Sequence, residues 1–60
     1  MYLPTNEERK KCMEIVKKVK KTENDTLIEY YTDEVLKIVY SIGGSYNDEN
    51  VLEKIATSLK

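Results

Sequence analysis

The side chains able to do chemistry in this chain are one thiol, Cys12, a scatter of carboxylates, nine lysines and five tyrosines. A thiol becomes a nucleophile when a base or a cation stabilises its thiolate. The common partner for that role near neutral pH is histidine, and the chain contains none. One cysteine without histidine also rules out an internal disulfide and a zinc site of the usual Cys/His kind. Cys12 sits among Ile15, Val16 and Val19 at helical spacing, where a cysteine behaves as a small apolar residue. Asp48 and Glu49 are adjacent acids, but in front of an apolar run they read as charges favoured by the positive end of a helix dipole. Gly43-Gly44 lacks the lysine and serine or threonine of a phosphate-binding loop. The expectation is a protein without catalytic residues, cofactor or metal, which works by binding.

Three segments must position whatever binds. Thr5, followed by Glu8 three residues on, is a capping box, and Pro4 stops anything earlier. Cys12, Ile15, Val16 and Val19 then form one apolar stripe, giving a first helix of about 5–22. Thr22-Glu23-Asn24-Asp25 supplies capping residues for a second element. In it, Ile28, Tyr31, Val35, Ile38 and Ile42 step by three and four residues as a seam, widened by Leu27 and Val39, and Gly43-Gly44 provides a C-terminal stop. This predicts a helix over 25–42, with Thr32-Asp33-Glu34 marking a place where it could break. Asn47 or Ser45 is expected to cap a third helix of about 47–60, with its stripe at Val51, Leu52, Ile55, Ala56 and Leu59. Tyr46 is expected to close over the core between the second and third helices.

The resulting fold class is all-α, a small three-helix bundle in a single small helical domain over residues 1–60. The alternative is α-β-β-α, with a hairpin at 26–42, because Leu36, Ile38, Tyr40 and Ile42 alternate and are good strand formers. Leu27 to Tyr31 does not alternate, and Thr32-Asp33-Glu34 has no glycine or asparagine for a tight hairpin turn. The helix-glycine-helix rhythm from Thr32 to Lys60 is generic and assigns the chain to no family.

Charge is unevenly placed. Arg9 to Lys21 holds seven basic residues and one acid, net +6, while Thr22 to Lys60 holds three lysines and eight acids, net −5. Segments of opposite sign point either to a charged partner or to mutual attraction within the fold. Lys10, Lys17, Lys18 and Lys21 are the candidates for contact with nucleic acid, either from the first helix or beside a helix-turn-helix at 32–60. Against that, Arg9 is the only arginine, and the reading helix of such a motif would enter the groove with Asp48 and Glu49.

If residues 25–42 are one helix, Leu36 and Tyr40 lie away from the seam, Tyr30 lies on a flank, and Met13 is off-centre on the first helix. Leu36, Tyr40, Tyr30 and Met13 are therefore the candidates for a partner interface. A chain of this length buries a marginal core, which favours a protein partner, a homodimer foremost. No run approaches the length of a membrane span, and the N-terminus has no basic-then-apolar leader pattern. The expectation is a soluble, cytoplasmic regulator, inhibitor or assembly factor. Abundant Lys, Asn, Ile and Tyr have A/T-rich codons, as in a phage, an archaeon or a low-GC bacterium.

Overall fold

The computed structural model describes residues 4–60, and all of its regular structure is helical. Helix α1 covers Asn6–Lys20, α2 covers Asp25–Ser41 and α3 covers Glu49–Ser58, and each packs against the other two. Every helix begins on a side-chain cap. The Thr5 hydroxyl accepts from the Glu8 amide at 3.2 Å, Asn24 from Leu27 at 3.2 Å, and Asp48 from Val51 at 3.3 Å. The third cap departs from the expectation of Asn47 or Ser45. Those residues build the preceding turn instead, with Ser45 accepting from the amides of Asn47 and Asp48.

The ends are built differently. Past α2, the Gly44 amide donates to the Val39 carbonyl at 2.8 Å and the Gly43 amide to Tyr40 at 3.2 Å, a Schellman closure. Gly43 has φ +75°, and a Cβ on Gly44 would come within 3.1 Å of Val39 Cγ2, so both positions favour glycine. Helix α1 ends two residues earlier than expected, on Lys21 at φ 53°, without a glycine. A side chain in that left-handed conformation costs about 1–2 kcal/mol.

Helix α2 is continuous through Thr32. The Thr32 side chain is fully buried, and its hydroxyl donates at 2.7 Å to the Ile28 carbonyl one turn back. That bond satisfies the hydroxyl within the helix, so Thr32 opens no new helix. The hairpin alternative fails because the alternating residues share no single environment. Leu36 is 2 % exposed, Ile38 and Tyr40 are half-buried, and Ile42 is 63 % exposed.

The core lies where the three helices meet. It combines Cys12, Ile15 and Val16 of α1, Val35, Leu36 and Val39 of α2, and Leu52, Ile55 and Ala56 of α3. Tyr46 is half-buried against it, as expected. On α2 the buried residues are Ile28, Thr32, Val35, Leu36 and Val39. They occupy an arc roughly 100° wide, turned from the expected seam toward Leu36. Two neighbours approach α2, and their placement decides which part of its wide apolar surface is covered.

Leu36→Ala is expected to cost about 2–5 kcal/mol. Ile42→Ala is expected to stay within about 0.5 kcal/mol. Urea unfolding followed by circular dichroism separates the two, and equal losses would contradict this core. Lys21→Gly is expected to gain about 1 kcal/mol in the same assay by relieving the left-handed residue.

Candidate protein-interaction face

The reactive groups are placed first by burial. Cys12 is fully buried, and its thiol points at the Thr32 carbonyl with Sγ 3.8 Å from the oxygen. Desolvation pushes the thiol up to about 11, and Arg9 only partly opposes this. A thiol so held is a packing group with little thiolate to react. The hydroxyls of Thr57 and Ser58 line an open depression on α3 with Asn50, Glu53 and Lys54. Both hydroxyls donate back to helix carbonyls, Thr57 to Glu53 at 2.7 Å and Ser58 to Ile55 at 2.9 Å. Among the described residues no group of three or more cysteines and carboxylates converges as a metal-binding cluster.

Half of the cations of α1 pair across the surface with acids of the neighbouring helices. Arg9 pairs with Asp33 of α2. Lys18 reaches Glu53 of α3 at 2.8 Å, and Lys11 lies 4.0 Å from Glu49. The hydrogen bond to Glu53, with the charge of that carboxylate, holds the Lys18 ammonium above the usual lysine range. Lys20 donates to the Leu59 carbonyl at the end of α3, and its ammonium sits 4.7 Å from the centre of the Tyr31 ring. Of the nucleic-acid candidates, Lys18 is thus engaged with α3. Lys10, Lys17 and Lys21 are exposed and have no internal partner among the described residues. They share one stripe at spacings of seven and four, interrupted by the exposed Glu14.

The interface candidates separate sharply. Leu36 is core and cannot meet a partner. Tyr40 is half-buried, and its hydroxyl donates to Glu8 Oε2 at 2.7 Å, tying α2 to α1. Glu8 is itself buried, so this bond places an acceptor that would otherwise lose water without compensation. Met13 is half-buried. Tyr30 alone lies well in solvent, at 55 % exposure. The expectation that Leu36 and Tyr40 form a second surface is therefore corrected, because α2 turns that side toward its neighbours.

The face that remains uncovered is the other edge of α2. Leu27 is 42 % exposed, and with Tyr30 and Ile42 it makes up the large apolar residues in solvent among the described residues. Tyr31 and Ile38 are half-buried between them. Leu27, Tyr31, Glu34, Ile38 and Ile42 follow one another at spacings of four, three, four and four, which sets them on one side of the helix. Tyr30 packs edge-on against Tyr31, with ring centres 5.5 Å apart. Glu34 and Lys37 face each other at 3.5 Å on this side, and the Lys20 ammonium lies against the Tyr31 ring. The seam expected from the sequence thus divides, with Tyr31 and Ile38 partly buried against the core and Ile42 in solvent. The signal that could have found it was the excess of apolar residues on α2 over what one buried arc holds.

Comparison with protein-family models, curated proteins and solved structures yields no match to this chain.

Two outcomes test the chemistry of these contacts. Burial, with help from the Glu8 bond, pushes the Tyr40 phenol up to about 12, against about 10 in the unfolded chain. Because the folded value is the higher one, this contribution is complete below pH 10 and is lost as the pH rises from about 10 to about 12. Unfolding free energy measured across that window is expected to fall less steeply for Tyr40→Phe, which is also expected to be about 1–3 kcal/mol less stable at neutral pH. In native buffer, Cys12 is expected to react with a thiol-specific disulfide reagent only as fast as the protein opens; reaction at the rate of a free peptide thiol would contradict its burial.

Proposed function

We propose that this protein is a small non-catalytic interaction module, acting as a regulator, inhibitor or assembly factor through the exposed edge of α2. The observation that carries the reading is the stripe of Leu27, Tyr30, Tyr31, Ile38 and Ile42. A small bundle has little apolar material to spare, yet this one leaves Leu27 and Tyr30 exposed near the start of α2 and Ile42 at its end, with Tyr31 and Ile38 partly buried between them. Exposed apolar side chains on one side of a helix suit a contact site, and tyrosine is favoured there because it combines area, low entropy loss and a polar tip. The reactive groups point the same way. The thiol is buried, the chain has no histidine, and the hydroxyls near the depression on α3 are spent on the backbone.

Binding of nucleic acid is the less favoured reading. Half of the cations of α1, Arg9, Lys11 and Lys18, are directed at acids of α2 and α3, Lys20 goes to the Leu59 carbonyl and the Tyr31 ring, and Lys10, Lys17 and Lys21 share their stripe with Glu14. Phosphate affinity grows with the number of cations that can reach the backbone together.

Affinity capture from lysate of the source organism tests the two readings together. The wild-type chain and Leu27→Glu/Ile42→Glu are compared with Lys10→Glu/Lys17→Glu/Lys21→Glu. Loss of at least about tenfold in bound protein with the α2 variant alone is expected, the size of a hot-spot change. Retention of nucleic acid that is abolished by the lysine variant and by moderate salt would replace this reading with the other. Circular dichroism of each variant is expected to match wild type, because the substituted residues lie in solvent.

A further inference from the structure

We draw no further inference here: the strongest candidate, the apolar edge of α2 from Leu27 to Ile42, belongs to the face already described, and nothing in the structure shows what covers it.

Discussion

Three short helices close a core only if each lends a narrow strip of side chains to the same line in space. Here the strips are small and branched. Val16, Val35, Leu36, Val39 and Leu52 are fully or almost fully enclosed, and Cys12 and Ala56 fill the narrow places between them. With neither a disulfide nor a large aromatic side chain at the centre, this convergence carries the fold. The caps and the surface charges both depend on it. It also fixes the fate of Cys12, whose thiol is kept protonated by the same loss of water that makes the core stable.

Electrostatics then trims the orientation of α1. Its cations leave both flanks, Arg9 toward α2, and Lys11 and Lys18 toward α3, while Lys20 bridges Tyr31 and the end of α3. Exposed pairs of this kind contribute little each. Together they oppose the positive stretch of the chain to the negative one and disfavour arrangements that would juxtapose like charge. The Glu8–Tyr40 bond adds a partly buried polar contact, which specifies the pairing of α1 with α2 more sharply than apolar contact does.

The functional reading follows from a mismatch between supply and demand on α2. Its apolar residues extend around more of the helix than α1 and α3 together can cover. The covered arc becomes core, and the remainder becomes the stripe from Leu27 to Ile42. The same mismatch explains why Leu36 and Tyr40, which look like the outlying residues in a heptad count, are interior or bonded to Glu8. Their partners lie on that side of α2, and the heptad seam that seemed central is shared between core and surface.

Much of this was legible without the structure. The period of three to four residues, the caps Thr5 and Asn24, and the stop at Gly43-Gly44 follow from local physics: hydrogen bonding of the first amides, dipole charges, and the backbone freedom of glycine. So does the inert character of Cys12, because its neighbours in the stripe are apolar. The cap at Asp48 was missed because Ser45, Asn47 and Asp48 all have suitable side chains, and only the course of the turn selects among them. Helix existence, helix order and the lack of a histidine-based site were thus determined by the sequence alone. Which arc of α2 is buried, which lysines are engaged, and which apolar residues face water were decided only in the tertiary structure. A helix carries its pattern in its own residues, but the direction from which its neighbours approach is a property of the whole bundle.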